Sequence, residues 1–117
     1  MSLKTYQDVQ RAVEDPRATE YRLIGQVTGA LLNAKSKNAK GTPLVEAVDW
    51  NKRLWRTLAA DCMDDRNALT QDVRAKIVSL SLFVSKYSRK VTREKAPLDP
   101  LIQINRTIMQ GLEAKVG

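Results

Sequence analysis

The segment between residues 71 and 94 carries the pattern that most restricts what this chain can fold into. Its apolar residues alternate at spacings of four and three, the pattern of a helix with one continuous apolar seam. The seam residues are Val73, Ile77, Leu80, Val84, Tyr87 and Val91. A strand would need alternation with a period of two. The spacing therefore predicts one long helix whose seam faces a core, and Phe83 is expected to widen that seam.

The same segment has apolar residues on the side opposite the seam. Ala75, Val78 and Leu82 fall there, at spacings of three and four. A helix that is apolar on two sides either is central in a bundle or offers its second side to a partner. Both interpretations stay open at this point, and the second makes these three residues candidates for partner binding.

Short start signals divide the chain into helices. Three of them pair an N-cap residue with a proline at the first helical position. They are Asp15-Pro16, Thr42-Pro43 and Asp99-Pro100, and Thr70 gives a weaker fourth start. Gly41 is expected to end the helix that precedes Thr42. The predicted helices span about residues 3–13, 16–38, 43–62, 71–94 and 100–115.

The expected fold class is all-α. A chain of 117 residues typically forms one domain, and short connections between helices favour antiparallel neighbours. We therefore predict a single-domain bundle of about five helices, mostly antiparallel, that extends over residues 1–117.

Both tryptophans lie in the predicted helix 43–62, in the stretch DWNKRLWRTL that begins at Asp49. Residues five apart point about 140° apart on a helix, so the two rings cannot share one narrow face. Trp55 lies at the centre of the apolar face and is expected in the core. Trp50 lies at the edge of that face, where it either seals the bundle or contacts a partner.

The chain has a net charge of +7, which favours acidic partners, including nucleic acid. A basic run in the C-terminal half of the helix 71–94 shares one face, and its residues are Lys86, Arg89, Lys90 and Arg93. Cations at that end also complement the helix dipole. These residues therefore form either a solvated helix end or a docking face for an acidic surface or a phosphate backbone.

The composition argues against an enzyme. The chain has no histidine and a single cysteine, Cys62, which lies on an apolar face and is expected to be buried. A Ser-His-Asp triad and a four-ligand Cys/His zinc site are therefore impossible, and no glycine-rich phosphate loop occurs. We expect no catalytic residue, no cofactor and no bound metal. Because no long apolar run or signal-peptide core is visible, we also expect no membrane span and a cytoplasmic location.

Four stretches in the C-terminal two thirds of the chain occur in an order and spacing that resemble those of a known protein family. They are RLWRTLAAD from Arg53, NAL from Asn67, VRAKIVSLSLFV from Val73 and LIQINRTIMQGL from Leu101. Together they resemble the FlaF family of flagellar biosynthesis regulators. The chain departs from the expected family pattern at Thr70, where a proline is expected, and near Ser81 and Phe83, where a glycine and a tryptophan are expected.

The resemblance implies a non-enzymatic cytoplasmic factor that is needed for flagellin synthesis and export. Its implied partners are flagellin and/or FlbT, the post-transcriptional regulator of flagellin messenger RNA. The alternative, suggested by the net charge, is a basic helical module that binds flagellin messenger RNA directly. The predicted partner-binding residues are Trp50, Ala75, Val78, Leu82, Lys86, Arg89 and Arg93.

Overall fold

The computed structural model describes residues 16–67 and 69–116, with side chains described within 19–67 and 69–111. This part of the chain is all-helical, with four helices and no strand. The helices are α1 (Pro16–Ser36), α2 (Thr42–Cys62), α3 (Gln71–Glu94) and α4 (Asp99–Val116). Each end lies within two residues of its predicted position. The predicted helix at about 3–13 lies outside the described residues, so the described part contains four of the expected five.

The four helices pack in the spatial order α3, α2, α1, α4, and α3 touches α4 only slightly. Specific contacts show that packed neighbours run antiparallel. Between α2 and α3, the Arg74 side chain reaches the carbonyl of Cys62, and the Ser81 hydroxyl reaches the carbonyl of Trp55. Between α1 and α4, Lys35 pairs with Asp99 near one end of the bundle. The prediction of mostly antiparallel helices is confirmed for these pairs.

One contiguous apolar core runs through all four helices. The predicted seam faces it, since Ile77, Val84 and Val91 are buried and the other seam residues are half-buried. Trp55 is 0% exposed and Cys62 is also buried, as predicted. The expectation for Phe83 is wrong. Phe83 is 44% exposed, because it lies about 100° around the helix axis from the buried Val84 and its ring stacks on Tyr87 instead of entering the core.

Serines let α2 and α3 approach closely. Ser81 and Ser88 occupy buried positions on α3, between the large residues of the seam. The Ser81 hydroxyl donates to the backbone carbonyl of Trp55 at 3.2 Å, and the Ser88 hydroxyl donates to the Val84 carbonyl at 2.6 Å. Their polar groups are therefore satisfied, and the Ser81 hydroxyl brings α3 into direct contact with the backbone of α2.

The end of α1 and the start of α2 differ from the sequence expectation. The helix α1 ends in a Schellman motif, in which Ala39 N–H donates to the Ala34 carbonyl at 2.9 Å and Asn38 N–H to the Lys35 carbonyl at 3.1 Å. Asn38, with φ of 49°, is the left-handed residue of this motif. Gly41 therefore does not end α1. It is the N-cap of α2, with φ of 63°, and no side chain caps that helix.

Two of the three strongest start signals in the sequence are not side-chain caps, and Asp15 of the third lies outside the described residues. Thr42 and Asp99 are each the first residue of their helix and precede a proline, which confirms proline near the start but not the capping role. Thr70, the weaker signal, is the observed cap of α3, and its hydroxyl accepts from Val73 N–H at 3.4 Å.

Candidate protein-binding surface

The outer side of α3 presents apolar residues to solvent. The buried positions of this helix follow the line from Ile77 to Val91, and Leu82 lies about 140° from Ile77 around the helix axis. Leu82 is 63% exposed and Ala75 is also exposed. Val78 is half-buried and packs against the core cluster. The helix α3 is not central in the bundle, so Leu82 lies outside the core that its own helix helps to build.

Three basic side chains continue the line of Leu82 toward the C-terminal end of α3. Lys86, Arg89 and Arg93 are all exposed, and no ion pair within the described part of the chain neutralises them. We use the name α3 strip for a continuous row of residues at spacings of three and four. The row is Ala75, Val78, Leu82, Lys86, Arg89 and Arg93. The strip is apolar in its N-terminal half and cationic in its C-terminal half.

Trp50 belongs to a different surface. It is 39% exposed and forms one wall of a groove of about 460 Å³ between α1 and α2. The floor of this groove consists of small residues, including Ala30 and Ala47. An exposed indole above a small-residue floor can contact a partner side chain. The structure therefore brings together six of the seven predicted partner-binding residues and leaves Trp50 on another face.

A buried polar chain links α2 to α4 across the bundle. The Trp55 Nε1–H donates to Asn105 Oδ1 at 2.8 Å, and Asn105 Nδ2 donates to Asn51 Oδ1 at 2.8 Å. Asn51 and Asn105 are fully buried. Sequence analysis did not identify these two residues. Their helical positions could have indicated burial, because Asn51 lies four residues before Trp55 and Asn105 lies four residues after Leu101. Each asparagine is therefore on the same helix face as a buried residue.

Arg74 closes the C-terminal end of α2. Its Nε donates to the Cys62 carbonyl at 2.6 Å, and its terminal nitrogen donates to the Asp64 carbonyl at 3.1 Å. The first bond satisfies a carbonyl at the helix end that has no partner within the helix, and the second adds to the bond that Asn67 N–H donates to the Asp64 carbonyl. Burial raises the pKa of the adjacent Cys62 thiol, and the nearby carboxylate of Glu20 adds to that increase. A buried thiol with a raised pKa is a weak nucleophile at neutral pH.

Local charge pairing orders the connection after α2. Arg66 binds the Asp64 carboxylate through its side chain at 2.8 Å and through its backbone N–H at 2.9 Å. These hydrogen bonds lower the pKa of Asp64 and raise that of Arg66. Across the residues that the structure describes, no three acidic or cysteine side chains cluster in a way that suits a metal ion.

The length and apolar content of the described helices can be compared with what a membrane-spanning helix requires. None of them, within 16–67 and 69–116, combines the length and apolar content that a membrane crossing requires.

These features define the class of the protein: an all-α helical bundle whose candidate site is an exposed, partly apolar and partly basic helix face. A family model described as flagellar protein FlaF matches residues 2–112, and the chain belongs to this family. The resemblance inferred from the four sequence stretches is thereby confirmed, and the protein is related to the flagellum. No curated protein and no solved structure matches the chain.

Proposed function

We propose that this chain is a non-enzymatic cytoplasmic regulator of flagellar biogenesis that promotes flagellin synthesis and export by binding flagellin, FlbT or both. The proposed binding surface is the α3 strip. The observation that carries the proposal is the exposure of Leu82, which is 63% exposed within a regular helix of 24 residues. Membership of the FlaF family supports the flagellar context.

The composition of the strip indicates the kind of partner that fits it. Covering a side chain such as Leu82 yields about 1.5–3 kcal/mol, and a few such anchors dominate many interfaces. Residues at spacings of three and four suit an amphipathic helix laid along α3. Because the strip changes from apolar to cationic along its length, a partner helix that is apolar at one end and acidic at the other would bind in one orientation.

Leu82→Asp tests this surface. The change replaces the exposed leucine with a carboxylate that no apolar partner residue can cover, so we expect affinity for purified flagellin or FlbT to fall about tenfold or more. Because Leu82 lies outside the core, helicity and melting temperature should stay close to the wild-type values. Titration calorimetry measures the affinity, and circular dichroism measures the helicity and melting temperature.

Met63→Asp is the matched control. Met63 is 68% exposed, similar to Leu82, but lies on the connection between α2 and α3 and is not one of the residues of the strip. It should bind partners like the wild type. If Leu82→Asp binds normally, or if it unfolds, the strip is not the interface. If the wild-type protein binds neither flagellin nor FlbT, the proposed function itself is wrong.

A second candidate function is direct binding of flagellin messenger RNA. It is favoured by the exposed charges of Lys86, Arg89 and Arg93 and by the ring of Phe83, which is 44% exposed on the same helix. Cationic side chains contact phosphates in a salt-dependent way, and exposed aromatic rings stack on bases. Filter binding with flagellin leader RNA at two salt concentrations tests this second function. An affinity that falls steeply with salt supports RNA binding, and no affinity at low salt excludes it.

A further inference from the structure

A second cleft lies at the end of the bundle where the α1–α2 connection faces the α3–α4 connection. Its volume is about 500 Å³, and all four helices contribute residues to it. It is separate from the α3 strip, and it neighbours the Trp50 groove, with which it shares Ala34 and Ala39. A volume of this size is typical of ligand sites.

The backbone of the two connections explains why the cleft is open. Each connection contains a residue with left-handed backbone, Asn38 with φ of 49° and Lys95 with φ of 58°, which turns the chain sharply away from the helix. Each of these residues is followed by an alanine, Ala39 or Ala96, and both alanines line the cleft. A methyl group is too short to fill the space that the two turns enclose.

The floor of the cleft is apolar. Val91 and Leu98 are buried, and Leu44 is half-buried. All three line the cleft. An aliphatic side chain placed there would lose its contact with water and gain contacts with the edge of the core. None of the lining side chains, which all belong to the described part of the chain, is aromatic, so the cleft has no surface on which a nucleic-acid base could stack.

The rim of the cleft is cationic. Lys35 pairs with Asp99 at 3.0 Å, whereas Lys40 and Lys95 form no ion pair within the described residues. Two helix N-termini and two C-termini meet at this end of the bundle, so their dipoles largely offset one another. The sign of the local potential is therefore set by the lysines and is positive.

We propose that this cleft binds a short acidic peptide segment that carries an aliphatic anchor. The anchor occupies the floor formed by Leu44, Val91 and Leu98, and flanking carboxylates pair with Lys40 and Lys95. Charge complementarity selects this occupant, because an apolar floor beneath two unneutralised cations matches a peptide that combines leucine with glutamate. The site is additional to the α3 strip, so it does not depend on the proposed function.

The test is an NMR titration of the full-length, ¹⁵N-labelled chain with a six-residue peptide of alternating glutamate and leucine. We expect the largest shifts at the amides of Gly41 and Ala96, which lie on opposite sides of the cleft. In the double variant Lys40→Gln/Lys95→Asn, affinity should fall about fivefold at low salt, since each exposed ion pair contributes modestly. Asparagine tolerates the left-handed backbone at position 95.

The matched control is Lys37→Gln/Lys76→Gln, which removes the same charge outside the cleft and should leave the affinity unchanged. A peptide with serine in place of leucine should bind at least fivefold more weakly, since the anchor is lost. The proposal is overturned if the two double variants weaken binding equally, if the serine peptide binds as well, or if no shifts occur at millimolar peptide. It is also overturned if a single-stranded RNA oligonucleotide produces the same shifts at Gly41 and Ala96.

Discussion

At the scale of single residues, the indole of Trp55 fixes the orientation of two buried side-chain amides, those of Asn105 and Asn51. Because the Trp55 Nε1–H can only donate, the atom of Asn105 that receives it must be Oδ1. Asn105 Nδ2 then points at Asn51 and requires its Oδ1. The Nδ2 of Asn51 is consequently left without a hydrogen-bond partner in the described structure. This directional chain sets the height of α4 relative to α2, since a shift along either helix would break it.

Leucine substitutions at the two asparagines test this chain. Asn105→Leu removes the partner of both Trp55 and Asn51, and we expect it to lower the free energy of unfolding by about 2–4 kcal/mol. Asn51→Leu leaves only Asn105 Nδ2 without its partner, and it also removes Asn51 Nδ2, which has no partner in the described part of the wild-type chain. The loss in free energy of unfolding should therefore be at least about 1 kcal/mol smaller than for Asn105→Leu. Urea unfolding followed by tryptophan fluorescence measures both. Equal costs would mean that the hydrogen-bond chain does not determine stability here.

At the scale of helices, α1 and α2 illustrate two different uses of glycine. Gly29 lies in the interior of α1, where a Cβ would meet no atom within 4 Å. Gly41 precedes α2 with φ of 63° and ψ of −139°, a conformation that residues with a Cβ rarely adopt. The first glycine is therefore replaceable and weakens its helix, whereas the second is required by the backbone of the turn.

Alanine substitutions at these glycines should have opposite effects. Gly29→Ala should raise the free energy of unfolding by about 0.5–1 kcal/mol, because alanine reduces the conformational freedom of the unfolded chain. Gly41→Ala should lower it by about 1–3 kcal/mol, since a Cβ strains this backbone. Thermal melts followed by circular dichroism give both values. A stabilising Gly41→Ala would show that the turn differs from the one described.

At the scale of the whole molecule, α3 and α4 are joined by a short connection but diverge beyond it. They touch only slightly, and on α3 the rings of Phe83 and Tyr87 stack with centroids 5.6 Å apart. Near the connection, the Tyr87 hydroxyl donates to the Pro97 carbonyl at 2.7 Å. Burial, and secondly the Asp99 carboxylate, raise the pKa of Tyr87.

This junction should weaken at alkaline pH. Because the folded pKa of Tyr87 is raised, its stabilisation is present below the ordinary tyrosine pKa of about 10 and is lost as pH rises through the folded value. At neutral pH, Tyr87→Phe should cost about 0.5–1.5 kcal/mol through the lost hydrogen bond. Above about pH 10, the difference from wild type should shrink. Urea unfolding across this range measures the difference, and a constant difference would contradict the assignment.

Much of the fold was predictable from residue spacing. The bounds of the four described helices follow within two residues from the proline and cap signals. The burial of Trp55, Ile77 and Val84 follows from periodicity, since 3.6 residues per turn place apolar side chains on one face. The exposure of Leu82 was one of two interpretations that its position opposite the seam left open, since a helix with two apolar sides can also be central in a bundle. The exposure of Phe83 was not predicted, because it lies at the edge of the seam, where burial depends on how closely a neighbouring helix approaches.

The sequence by itself determined which residues lie on which side of each helix, because that rotation is a local property of the backbone. Only the tertiary structure decided which sides have a neighbour. It placed α3 at the edge of the bundle, so that Leu82 is open to solvent. It also brought Asn51 and Asn105 together from residues 54 apart and enclosed a lysine-rimmed cleft between two connections. Contacts between distant segments arise from packing geometry, which no local pattern encodes.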